Sequence, residues 1–183
     1  MEDMNTQEMV KKLALEAGVS EAEAQRLFEK MVPIMSAQLK KNLPQEKEAI
    51  KKALKDHKNI EALDKESLSQ DGKKILGHVF KARQEDVEQA LSKDSKIDAK
   101  KAKDLIQEYA PLVMGAIGKD GVSQEGLEKV LEKTAENALK GQSESVRGIL
   151  GMLDLDKDGS IMDDVPKIMI FLKGLMRFIP RSK

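Results

Sequence analysis

Five carboxylates crowd into the eleven residues from Asp154 to Asp164, "DLDKDGSIMDD". Counted from Asp154 as position 1, aspartates stand at positions 1, 3 and 5, as Asp154, Asp156 and Asp158. Gly159 follows at position 6, where a calcium loop turns sharply, and Ser160 at position 7 would offer its backbone carbonyl. Ile161 at position 8 is apolar and can pin the loop to a core. Alternating carboxylates suit a hard cation that takes many oxygen ligands, so the spacing points to Ca2+. Position 12 departs from the pattern, because Val165 stands where a bidentate Glu normally closes the loop. Asp163 and Asp164 fall at positions 10 and 11. A shift of one residue turns a helical side chain by about 100°, so the loop must close differently. Asp164 is the expected closing ligand, and Asp163 an N-cap or an outer acceptor. The expected metal ligands are therefore Asp154, Asp156, Asp158, Ser160 and Asp164. A metal-free acidic turn capping a helix would account for Asp163 or Asp164, but not for the alternation before Gly159.

Such a loop needs helices on both sides. "SESVRGILGMLDL" reads as the entering helix, packing through Ile149, Leu150 and Leu153, and the leaving helix would start near Asp163. The chain then continues as "VPKIMIFLKGLMRFIPRSK". Ile168, Phe171, Leu172, Leu175 and Ile179 give this segment a wide apolar surface, while Lys173, Arg177 and Arg181 recur every four residues on one face. A basic amphipathic helix of this kind either covers a core as a lid or docks on an anionic membrane or a partner. The lid is the favoured reading.

Other chemistry is scarce. The chain has 183 residues, 32 basic and 32 acidic, hence no net charge and no global attraction to nucleic acid or acidic membranes. Four Phe, one Tyr and no Trp leave few platforms for stacking bases. Without cysteine there are no disulfides, thiolate sites or thiol nucleophiles. Of the two histidines, His57 stands in a lysine-rich stretch and reads as solvated, and His78 after "ILG" is expected to cap or pack near the core. Gly118-Lys119 lacks the earlier glycine and the following hydroxyl of a phosphate loop, with Val113 and Asp120 at those places. No enzyme is expected. The acidic start "MEDMNTQEMV" does not read as a secretory signal, and no apolar run is long enough to span a membrane, so the expected location is the cytoplasm.

Strand signals are nearly absent and helix formers dominate. Gly18 can end one helix, Ser20 can cap the next, and Glu23 would complete a capping box. Pro33 should kink or split that second helix. The plan returns when "LALEAGVSEAEAQRLFEKMVPIMSAQL" is set above "LSKDSKIDAKKAKDLIQEYAPLVMGAI". Leu13 aligns with Leu91, Val19 with Ile97, Ser20 with Asp98, Leu27 with Leu105 and Pro33 with Pro111, without a gap and at one spacing of 78 residues. A matching proline and cap at one spacing point to a duplicated helix–turn–helix unit. Between the copies, Pro44 suits a first helical turn, the stretch to His57 reads as a solvated helix, and "KESLSQDGK" reads as a loop.

The run "DGKKILGHVF", then "YAPLVMGAI", then "DLDKDGSIMDDV" resembles the bacterial YidB-like family, a domain of unknown function (DUF937). The resemblance covers about Gln7 to Val165 and rests on Gly72, Ile75, Leu76, Gly77, His78, Ala110, Pro111, Gly115 and the aspartate loop. Lys81 departs from the glycine expected after the phenylalanine. The resemblance implies an all-α fold of repeated helices and implies no activity. The first repeat is also similar to the helical start of HU-type DNA-bending proteins, but "PQEKEAIKKALKDHKN" replaces their sheet and basic arm. Glu21, Glu23 and Glu29 on the would-be recognition helix oppose phosphate binding, so nucleic acid is not an expected partner.

The expected fold is thus all-α: a helical bundle built from a duplicated helix–turn–helix unit over residues 1–148, with a helix–acidic loop–helix segment, 149–183, packed on it. The expected function is non-enzymatic, with one unconventional EF-hand-like Ca2+ loop ordering the C-terminal helix. The alternative is a peripheral module that docks on a membrane surface or a protein partner through that helix.

Overall fold

The computed structural model describes residues 5–57, 64–119, 129, 131 and 144–153. The described residues form six α-helices and no strand: α1 (Thr6–Ala17), α2 (Glu21–Asp56), α3 (Lys65–Phe80), α4 (Gln84–Ser95), α5 (Ala99–Lys119) and α6 (Glu144–Leu153), with a 3-10 turn, Lys81–Arg83, between α3 and α4.

Local signals set the helix ends. Asn5 caps α1 reciprocally: its side chain accepts from the Glu8 N–H at 3.0 Å, and Glu8 accepts from the Asn5 N–H at 2.8 Å. Gly18 ends α1 in the left-handed region, at φ +63°, where its N–H reaches back to the Leu15 carbonyl. Ser20 caps α2 by accepting from the Glu23 N–H. Glu23 does not complete a backbone capping box. Its carboxylate instead accepts from the Ser20 hydroxyl at 2.5 Å, which holds that carboxyl below its ordinary range. Seventy-eight residues on, the second turn repeats these choices. Lys96 is left-handed at φ +61°, and the Asp98 carboxylate accepts from the N–H groups of Lys100 and Lys101. Lys101 in turn donates to the Gly18 carbonyl, tying one turn to the other.

Two expectations need correcting. Neither Pro33 nor Pro111 splits its helix; α2 and α5 run through both, and both prolines are buried. The one non-helical residue inside α2 is Glu46, at φ −128°, two residues after Pro44. There the ring's clash with the preceding turn is relieved on a mostly exposed stretch rather than inside a packed core. The stretch "KESLSQDGK" is not a loop but the first half of α3. Asp64 caps it, accepting from the Ser67 N–H at 2.9 Å and the Ser67 hydroxyl at 3.0 Å. Its glycine serves packing: an ideal Cβ on Gly72 would stand 1.7 Å from the Gln107 carbonyl oxygen. That carbonyl is the one Pro111 leaves without its usual N–H partner, so α3 crosses α5 with room only for the glycine hydrogens.

α5 lies at the centre and touches α1, α2, α3 and α4. Its apolar residues Leu105, Ile106 and Tyr109 are fully buried with Leu13, Leu27, Met31, Ile34, Leu68, Leu76 and Leu91. Tyr109 packs edge-on against Phe28, centroids 5.8 Å apart, and donates its hydroxyl to the Val10 carbonyl at 3.1 Å. A buried tyrosine thus satisfies its polar tip. Gly118 closes the far end, where a Cβ would meet the Leu54 carbonyl at 2.6 Å. α6 packs against α2 and α4, burying Val146 and Ile149.

Candidate functional site

The stripes that α2 and α3 turn toward each other follow from helical spacing. Leu39, Asn42, Glu46, Ile50, Ala53 and His57 recur every three or four residues on α2; Asp71, Lys74, Ile75, His78 and Val79 do so on α3. Between them lies a cleft of about 330 Å³. Its apolar wall is Leu39, Ile50, Ile75 and Val79, with Met114 of α5, all buried. Its rim is polar, and Ala49, Lys52, Asp56, Lys74 and His78 are exposed there.

Three polar clamps hold the two helices along this cleft. The buried Asn42 amide donates to the Val79 carbonyl at 3.0 Å and accepts from Gln38 at 3.1 Å. Glu46, beside the break in α2, pairs with Lys81 at 2.9 Å. Lys81 is itself a residue of positive φ, +51°, at the end of α3, the place where the family resemblance leads one to expect glycine. His57 caps the end of α2. Its Nδ1 lies 2.5 Å from the Ala53 carbonyl and its Nε2 2.6 Å from Asp71 Oδ2. A carbonyl only accepts, so Nδ1 is the donor to Ala53, and Nε2 faces the Asp71 carboxyl.

His57 is therefore not a solvated residue: its side chain is 13% exposed. Its lysine-rich neighbours concealed that it ends a helix whose apolar stripe continues through Ile50 and Leu54. His78 is exposed at the rim rather than packed near the core. Both ring nitrogens of His57 are engaged, and the cleft lining contains no Ser, Thr, Tyr or Cys. The cleft presents an apolar wall beneath a polar rim.

Two buried carboxylates flank the other side of the bundle. Glu88 accepts from Gln84 at 2.8 Å and lies 3.5 Å from Lys103. Glu108 is 2% exposed, with Oε1 3.5 Å from Lys65 and Oε2 buried without a partner. Burial pushes the Glu108 carboxyl up, and the Lys65 ammonium counters this only in part. Burial likewise pushes the Tyr109 hydroxyl up.

The sequence-derived metal ligands Asp154, Asp156, Asp158, Ser160 and Asp164 lie outside the described residues, as does the terminal segment from Val165. Among the described residues, no group of three or more His, Asp or Glu side chains could hold a metal ion, and no helix is long and apolar enough to cross a membrane.

The motif residues now have positions. Gly72, Ile75, Leu76, Val79, Ala110 and Pro111 are buried, while Asp71 and His78 line the cleft. A family described as a bacterial protein of unknown function (DUF937) matches residues 1–120. No curated protein and no solved structure matches the chain.

Proposed function

This chain belongs to the DUF937 family of bacterial proteins of unknown function, and on that footing we propose that it is a non-catalytic, cytoplasmic helical module whose C-terminal aspartate loop takes up calcium. The observation that carries the reading is the position of α6. This helix packs against α2 and α4, burying Val146 and Ile149, and its described residues run to Leu153, directly before Asp154 in sequence. The entering helix required by a calcium loop thus leads directly into the alternating aspartates. Asp154, Asp156 and Asp158 supply carboxylates, Ser160 its carbonyl, and Asp164 closes the loop in place of the usual Glu. The ion relieves repulsion among five carboxylates and orders the apolar segment that follows.

The frame beneath it is read as a duplication. Matched caps, matched left-handed turns and matched prolines at one spacing of 78 residues support this. An unidentified protein is the expected partner. In the second reading, the basic amphipathic segment seats the protein on an anionic membrane. Liposome co-sedimentation separates the two, because a segment that serves only as a lid does not carry the protein down.

The calcium reading is tested by melting the full chain with and without the ion. Calcium should raise the melting temperature by mass action, magnesium should do so weakly, and Asp156→Ala and Asp158→Ala should each abolish the shift. A melt unmoved by millimolar calcium would contradict the reading.

A further inference from the structure

We propose that the groove between α4 and α5 binds a small zwitterion of amino-acid size, with Glu88 and Ser92 receiving its ammonium and Lys93 and Lys103 its carboxylate. The groove encloses about 300 Å³, at the small end of ligand pockets. Helical spacing sets Glu85, Glu88, Ser92 and Lys93 along one face of α4. Ala99 and Lys103, four residues apart on α5, line the groove with them. Its most buried lining residues are polar: Glu88 is 5% exposed and Ser92 9%. Glu88 accepts from Gln84, but the Lys103 ammonium stands 3.5 Å from Glu88 Oε2, longer than a close charge-assisted bond. The Ser92 hydroxyl has no hydrogen-bond partner among the described residues. Both groups can therefore take a donor from a ligand.

The α1–α2 pair shows that the frame does not need this polarity. Seventy-eight residues earlier, Val10 and Ala14 stand where Glu88 and Ser92 do, and both are buried. Burying a carboxylate and a hydroxyl where valine and alanine suffice costs desolvation and adds no packing. The groove is also open where its counterpart is closed. Lys11 and Glu21 pair at 2.7 Å across the α1–α2 turn. Gln89 and Ala99 hold the matching places and cannot pair. Leu15 and Gln25 give way to Lys93 and Lys103, which bring two cations to the groove. Against Glu85 and Glu88 these cations leave no net charge. Such a lining suits a ligand that carries both signs, and disfavours a diamine or a dicarboxylate.

None of these residues belongs to the proposed calcium loop, so the site stands or falls without it. The test follows amide signals of the full chain while each of the common L-amino acids is added at millimolar concentration. At least one should shift Ser92, Lys93 and Lys103 saturably and leave the matching Ala14, Leu15 and Gln25 in place. Gln89→Lys with Ala99→Glu, both at exposed positions, rebuilds the Lys11–Glu21 pair across the groove and should abolish the shift without lowering the melting temperature. Glu88→Val with Ser92→Ala installs the residues of the α1–α2 pair; it should also abolish the shift, and should melt no lower than the parent. No saturable shift with any amino acid, equal shifts in both units, or a shift that survives in either variant would overturn the proposal. Saturable shifts with putrescine or succinate and none with an amino acid would overturn it as well.

Discussion

The two helix–turn–helix units, α1–α2 and α4–α5, start alike and diverge at their prolines. In each, a left-handed residue ends the first helix, an oxygen-bearing side chain caps the second, and a buried proline sits inside the second helix. Pro33 frees the carbonyl of Glu29, whose residue is exposed, so water can satisfy it. Pro111 frees the carbonyl of Gln107, which is buried, and Gly72 of α3 is packed against it. The charges diverge too. Lys30 of the first unit pairs with Asp94 of the second. The corresponding places in reverse are Glu108 and Glu16, two carboxylates whose proximity raises the Glu108 carboxyl further. Matching positions thus build the frame, and the features that could serve a function lie where the two units differ: the long distal half of α2, the intervening α3 and the cleft between them.

Gly72→Ala should sharpen this contrast most. A backbone clash at 1.7 Å cannot be relieved by a rotamer change, so the loss should be about 3 kcal/mol or more in denaturant unfolding, at the upper end of overpacking. Glu29→Ala, near the freed carbonyl of the first unit, should stay within about 0.5 kcal/mol, as exposed substitutions do. Equal costs for the two would break the comparison.

Tyr109→Phe removes one buried hydrogen bond, to the Val10 carbonyl, and should cost about 1–1.5 kcal/mol. The corresponding residue of the first unit is Met31, which has no polar tip to lose. The two caps should behave as equivalents: Ser20→Ala and Asp98→Ala should each lower stability by about 1 kcal/mol, read from thermal melts. A cap whose loss goes unfelt would remove its turn from the shared frame.

Glu108→Gln should give the smallest effect and the opposite sign. The folded-state pKa of Glu108 lies above its ordinary value, so its stabilising contribution is complete below the ordinary carboxylate range and is lost as pH rises through the raised value. The amide has no such loss. Glu108→Gln should therefore melt higher than the parent at neutral pH, and the gap should close as pH falls toward the ordinary carboxylate range. Lys65, 44% exposed, loses little with its partner. A gap that widened on acidification would contradict the burial argument.

Much of this frame was legible in the sequence because its signals are local. Gly18, Ser20 and Asp98 act within one turn, and Leu27, Met31 and Leu105 advertise a buried face by spacing alone. The cleft was not legible. Gly72 reads as a turn former unless the carbonyl it meets 35 residues away is known. His57 looks solvated because its partner Asp71 belongs to another helix, in a stretch whose Ser, Asp and Gly resemble a loop. Prolines misled in the other direction. They signal a break in isolation, yet Pro33 and Pro111 are held in helix by core packing, and the break falls at Glu46 beside the exposed Pro44. The aspartate loop is legible because alternate carboxylates need no tertiary partner to be recognised.

Calorimetric titration of the full chain with calcium tests most directly whether calcium-linked function lies outside the two matching helix–turn–helix units. The account predicts one site per chain with a dissociation constant on the order of 10⁻⁵ to 10⁻³ M, weakened by the missing closing Glu, and a larger loss of binding in Asp164→Ala than in Asp163→Ala. No heat at millimolar calcium would contradict it and leave an acidic turn without an ion.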